Sequence, residues 1–179
     1  MNNKDNDHNP WIIKTLWIGD SLSMVEQLCL NSFIHCGHNV ELIVYSDVKN
    51  IPDGVKLRDG NEILHEDNIF MYKSRPSYSG FANWFRYEIL LKEGGVWVDT
   101  DVICLKYFDF ETDLFFGCED SNQYNCAVVG ANPNQEVFKF LSRQVQSPNE
   151  ILPYDTKKEI RRKFKRKYFK GNELSLIHI

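Results

Sequence analysis

The chain has 179 residues, 42% of them hydrophobic and 13% aromatic, which suits one core-forming domain, or one domain plus a fragment, rather than a disordered chain. No apolar run approaches the ~20 residues of a membrane-spanning helix, and the polar residues 1–10 lack the apolar stretch of a secretory signal. The net charge of −4 conceals an asymmetry: residues 1–156 carry 12 basic and 23 acidic side chains, residues 157–179 carry 9 and 2, so the acidic body is not expected to bind nucleic acid.

Residues 1–10 are expected to be disordered, and the protein cytoplasmic. Residues 11–18 form an apolar run that reads as a buried strand. Residues 21–36 follow with helical spacing; Val25, Leu28, Cys29, Ser32, Phe33 and Cys36 fall on one face. Ser23 with Glu26 makes a capping box, and Gly37 is a helix stop. Residues 40–45 are a second short apolar run. Strand–helix–strand in this order favours a parallel sheet. Pro52-Asp53-Gly54 is a turn, and residues 59–79 read as irregular. Residues 81–93 predict a helix whose Ala82, Phe85, Ile89 and Lys92 share one side. Gly94-Gly95 ends it, because a tight reversal into a strand needs positive φ.

Residues 96–98 form the next strand, and residues 102–105 continue as strand after a bend. Residues 114–117 and 124–130 read as two more strands around a polar, acidic loop at 118–123. Residues 134–145 are helical, with Val137, Leu141 and Val145 in register. Residues 156–169 are a strongly basic helix with its own capping box, Thr156 and Glu159. The five cysteines form no Cys-x-x-Cys pair and read as reduced structural residues, with Cys104 and Cys126 in apolar surroundings.

The chemistry concentrates at Gly94-Gly95-Val96-Trp97-Val98-Asp99-Thr100-Asp101. Two aspartates at the end of a buried strand need a partner. A divalent cation suits them, and such a cation suggests a phosphate-bearing substrate. In an extended chain both carboxylates would face one cleft; with a bend, one would hold metal while the other accepts a sugar hydroxyl. Trp84 and Trp97 read as packing residues. Arg86 either serves a site or pairs with Glu88 or Glu93.

Arg86-Tyr87 through Val102 resembles the DxD segment of glycosyltransferases with the GT-A fold, in particular capsular-polysaccharide and glycosyltransferase family 32-like enzymes. Trp17-Ile18-Gly19, Asn31-Ser32-Phe33, Gly37-His38 and a strand ending at Tyr45 fit the same likeness, which covers roughly residues 11–145. The resemblance implies an α/β fold: a GT-A-like, Rossmann-type mixed, mostly parallel sheet flanked by helices. It implies a nucleotide-sugar donor (a UDP-sugar), Mn2+ or Mg2+, and transfer with retention to a glycan or lipid-linked acceptor. Asp99 would contact the ribose or sugar beside the metal, Asp101 would ligate the metal, and Arg86 would line the donor pocket. Trp17, Gly19 and Tyr45 would lie at strand ends near the nucleoside. Asn83 stands where many relatives carry an aspartate, so an amide would replace an acidic contact with the sugar.

Asp120 and Asn125, in or after the acidic loop, are the candidate catalytic residues on the acceptor side. The expected organisation is a catalytic domain at 11–150, a basic helical segment at 151–173 and a non-native tail at 174–179. Lys157 to Lys170, with Ile160, Phe164 and Tyr168 as an apolar stripe, could lie at the inner face of a membrane. Two other readings stay open: a non-catalytic nucleotide-sugar-binding module, and a haloacid-dehalogenase-like phosphatase, against which Ile103 stands where that motif carries threonine or valine.

Overall fold

A computed structural model describes residues 11–72, 76–120, 123–147, 149–168 and 176–178; the expectation for residues 1–10 lies outside them. The strands are β1 (Ile13–Trp17), β2 (Val40–Val44), β3 (Val55–Asp59), β4 (Phe70–Tyr72), β5 (Gly95–Val98), β6 (Leu114–Asp120), β7 (Gln123–Ala131) and β8 (Leu176–His178). The helices are α1 (Met24–His35), α2 (Ser79–Glu93), α3 (Glu136–Gln146) and α4 (Lys157–Tyr168). The chain divides into two compact units, one of residues 1–58 and 95–131, the other of residues 59–94 and 132–179.

The first unit is built on a six-stranded sheet in the order β3-β2-β1-β5-β7-β6. β1 runs parallel to β2 and to β5, while β7 is antiparallel to both β5 and β6. The sheet is therefore mixed, with a parallel centre, as expected. Ile13, Val40, Leu42, Val96 and Val98 bury one face with Cys29, Leu30 and Phe33 of α1. The α1 N-terminus has the expected reciprocal cap: Ser23 N–H donates to Glu26 (2.6 Å), and Ser23 Oγ accepts from Val25 N–H (3.2 Å). The buried stripe is rotated from the expected one. Val25 and Leu28 are more than half exposed and Leu30 is buried. The inward arc that meets β1, β2 and β5 is Cys29, Leu30 and Phe33.

Two further expectations are corrected, and one strand is new. Residues 102–105 are not a strand. They run beside α1 without sheet pairing, where Ser32 Oγ accepts from Cys104 N–H (2.9 Å) and Cys36 Sγ donates to Cys104 O (3.7 Å). β3 stands where no strand is evident in the sequence, with Lys56 (2.9 Å) and Arg58 (3.0 Å) both ion-paired to buried Glu41 of β2. Cys126 is exposed, as is Cys118.

Gly94 (φ 67°) and Gly95 (φ 100°) make the reversal from α2 into β5. A Cβ on Gly95 would sit 3.0 Å from the Ile12 carbonyl oxygen, so the residue is needed both for its φ and for close approach.

In the second unit, α2 packs on α3 through Tyr87 and Phe138, stacked at 6.3 Å. Glu88 accepts from Trp84 Nε1 (3.3 Å) and from the Ser142 hydroxyl. Residues 59–79 hold two short 3-10 turns and β4, which pairs antiparallel with β8. α4 starts where its cap predicts: Thr156 N–H donates to Glu159 (2.8 Å), and Glu159 N–H to Thr156 Oγ1 (3.3 Å). No helix among the described residues is long and apolar enough to cross a membrane.

Candidate functional site

Parallel strands β2, β1 and β5 end side by side, at Val44, Trp17 and Val98. Five expected site residues lie at or just past these carboxyl ends: Tyr45 after β2, Trp17 and Gly19 at β1, Asp99 and Asp101 after β5. The β1 and β2 extensions stay joined beyond the strands, since Lys49 N–H donates to Asp20 O (2.9 Å) and Leu22 N–H to Lys49 O (3.0 Å). A Cβ on Gly19 would press to 3.2 Å from Trp17 Nε1, so glycine leaves space for the indole. That Nε1–H is buried without a hydrogen-bond partner among the described residues, a donor left unused by the protein's own groups.

The two aspartates sit on a turn rather than in extended chain: Val102 N–H donates to Asp99 O (3.3 Å). Asp99 is half-buried and Asp101 exposed, so the two carboxylates have different environments. Asp99 is held from several sides. Its N–H donates to Ala127 O of β7 (2.8 Å), and Cys29 Sγ donates to its carbonyl (3.6 Å). Its Oδ1 accepts from Trp97 Nε1 (2.8 Å). Trp97 is only 2% exposed, so a rigid indole aims the Asp99 carboxylate. This corrects the purely packing role expected of Trp97. The signal was available in the i, i+2 spacing of Trp97 and Asp99, which puts both on one side of a strand.

Burial pushes the Cys29 thiol up to about 11, opposed by a Val102 backbone hydrogen bond and reinforced by the charges of Asp101, Glu26 and Asp99. Burial raises Cys104 to about 11 as well. Both thiols stay protonated near neutrality and are braces, not nucleophiles.

Asp120 and Asn125 lie in the β6–β7 hairpin, which continues past the carboxyl end of β5. Asp120 Oδ1 accepts from Gln123 N–H (2.9 Å). Asn125 Nδ2 donates to Glu119 (2.6 Å), and its Oδ1 accepts from Ala127 N–H (2.5 Å). Asn125 thus holds the N–H of Ala127, the residue whose carbonyl accepts from Asp99 N–H. Asn83 and Arg86 lie on α2 in the other unit; Arg86 is 3% exposed, and the Glu88 proposed as its ion-pair partner is engaged by Trp84 and Ser142.

Among the described residues no cluster of three or more His, Cys, Asp and Glu side chains forms a metal cage. Asp99 and Asp101 are a hard-oxygen pair. That donor set fits Mg2+ or Mn2+, which take one or two carboxylates and complete their shell with phosphate oxygens and water.

The fold is of the GT-A glycosyltransferase type. It is similar to a solved structure titled PaToxG Glycosyltransferase, with a TM-score of 0.56 over 92% of this chain and 72% of that one at 13% identity. The chain belongs to the family described as the glycosyltransferase sugar-binding region containing a DXD motif, whose model matches residues 23–116, just over half its length. No curated protein matches the sequence significantly.

Proposed function

We propose that this glycosyltransferase-family chain transfers a sugar from a nucleotide diphosphate donor, a UDP-sugar, to a glycan or lipid-linked acceptor. The reading includes kinship with the capsular-polysaccharide and family 32-like enzymes and retention at the anomeric carbon. The observation that carries it is the Asp99–Asp101 turn at the carboxyl end of β5, beside the ends of β1 and β2. In open α/β sheets that edge is where nucleotides bind.

In this reading Asp99, oriented by Trp97, accepts a ribose or sugar hydroxyl at the edge of the metal site. Asp101, the more exposed of the pair, contributes the principal metal-binding carboxylate. Bound there, Mn2+ or Mg2+ would neutralise charge developing on the departing diphosphate. Trp17 offers its ring to the nucleoside; Gly19 gives the backbone close approach, and Tyr45 borders the same edge. Asp120 serves the acceptor side, with Asn125 holding the hairpin and the Asp99 peptide in register. For Asn83 and Arg86 the donor-binding role rests on the motif alone.

The test is incubation with a panel of nucleotide sugars and Mn2+, with release of free nucleoside diphosphate measured. Donor- and metal-dependent release is expected. Donor-induced thermal stabilisation with no release would instead leave a binding module, and phosphate release from a phosphomonoester would mark a phosphatase.

A further inference from the structure

α4 carries no residue assigned a role in the proposed sugar transfer. Lys157, Lys158, Arg161, Arg162 and Lys165 are exposed on it, and none makes an ion pair among the described residues. They form two rows at i, i+4, i+7 spacing, 157/161/164 and 158/162/165, so Phe164 stands within the cationic face. Phe164 is 48% exposed. The acidic groups nearby have hydrogen-bond partners other than these five cations, although the Arg162 charge also acts on Asp155 and Glu159. Glu159 caps the helix through Thr156. Asp155 accepts from Lys163 (2.8 Å) and from Leu152 N–H (2.7 Å), and Glu150 pairs with Arg143 (2.6 Å). The Asp155–Lys163 pair also ties residues 150–155 to the helix. Tyr154 lies 6.5 Å from the Phe140 ring of α3. Ile151, Tyr154 and Phe140 are all exposed as well.

We propose that the cationic face of α4, with Phe164 in it, docks on the surface of an anionic lipid bilayer. Each half of the pattern fits. Lysine and arginine on a helix lying flat are drawn to anionic headgroups, and exposed aromatic and aliphatic side chains gain by entering the headgroup–acyl boundary. Duplex nucleic acid would use the cations but gives the exposed Phe164 no apolar layer to enter. The proposal does not depend on which donor the site takes.

The experiment is co-sedimentation of the full chain with vesicles of phosphatidylcholine alone or with about 30% phosphatidylserine, at rising salt. Binding to the serine-containing vesicles alone, weakening with salt, is expected. Arg161→Glu/Arg162→Glu/Lys165→Glu should lower the partition at least ~100-fold, and Phe164→Ser about tenfold. These side chains are exposed, and unchanged circular dichroism would verify folding. Equal partition onto both vesicle types, or an unaffected triple variant, would overturn the proposal. Duplex RNA that displaces the protein from the vesicles, with Phe164→Ser behaving as the parent, would overturn it in favour of nucleic acid.

Discussion

At the residue scale, the Asp99 carboxylate is aimed by one hydrogen bond from a buried indole. Trp97→Phe removes the N–H and, because phenyl is smaller than the buried indole, also opens a small void that lowers Tm. Loss of such a supporting contact costs metal-site function about 10- to 100-fold, so donor turnover (kcat/KM) should fall by that much at a temperature where the variant is still fully folded. A drop in Tm that accounts for the lost activity would make Trp97 merely structural. His38 offers a second test. Burial pushes its pKa below the usual 6.5, with the Trp11 backbone opposing. Nδ1 lies toward that backbone without a hydrogen bond of normal geometry, while Nε2 accepts from Phe108 N–H (3.1 Å) and the ring stacks on Tyr107 at 4.4 Å. A histidine whose folded pKa is depressed favours the native state fully above its unfolded pKa. Stability is then lost as pH falls below ~6.5 toward the folded value. Urea unfolding at about pH 7.5 and about pH 5 should show the loss, and His38→Gln should flatten it.

At the scale of elements, the hairpin and the helix cap carry tests of their own. A methyl on Gly130 of β7 would overlap the Phe115 ring of β6. Gly130→Ala should therefore destabilise by about 1–3 kcal/mol in chemical unfolding. Ser23→Ala, which removes the α1 cap, should cost about 1 kcal/mol. Elements with strong periodicity and a matching stop were legible from the sequence. β1, α1 and β2 come from apolar runs and a capping box, and α2 with β5 from a helix closed by two glycines. β3 was not, because Lys56 and Arg58 find their partner only in Glu41 of another strand. Ile103 and Leu105 look like strand residues, yet both are exposed, and α1 rather than a neighbouring strand takes the backbone bond of Cys104. The rotated face of α1 has a similar cause: helical spacing names a stripe, but the sheet beneath decides which arc is covered. The aspartate pair itself was readable as spacing; the turn that separates its two environments, and the Asn125–Ala127–Asp99 relay, required pairing across strands that only the fold supplies.

At the scale of the whole molecule, the chain separates its chemistry by charge. The aspartate turn belongs to the acidic body and the exposed cations to α4, near the end of the sequence. The most direct test of the metal-bridged donor site is a thermal-shift measurement of the parent and Asp101→Asn with a UDP-sugar, with and without Mn2+. The parent should gain Tm only when donor and Mn2+ are both present, whereas Asp101→Asn should keep its unliganded Tm and lose that gain. An equal Mn2+-dependent gain in Asp101→Asn would contradict a metal held between this carboxylate and the donor diphosphate.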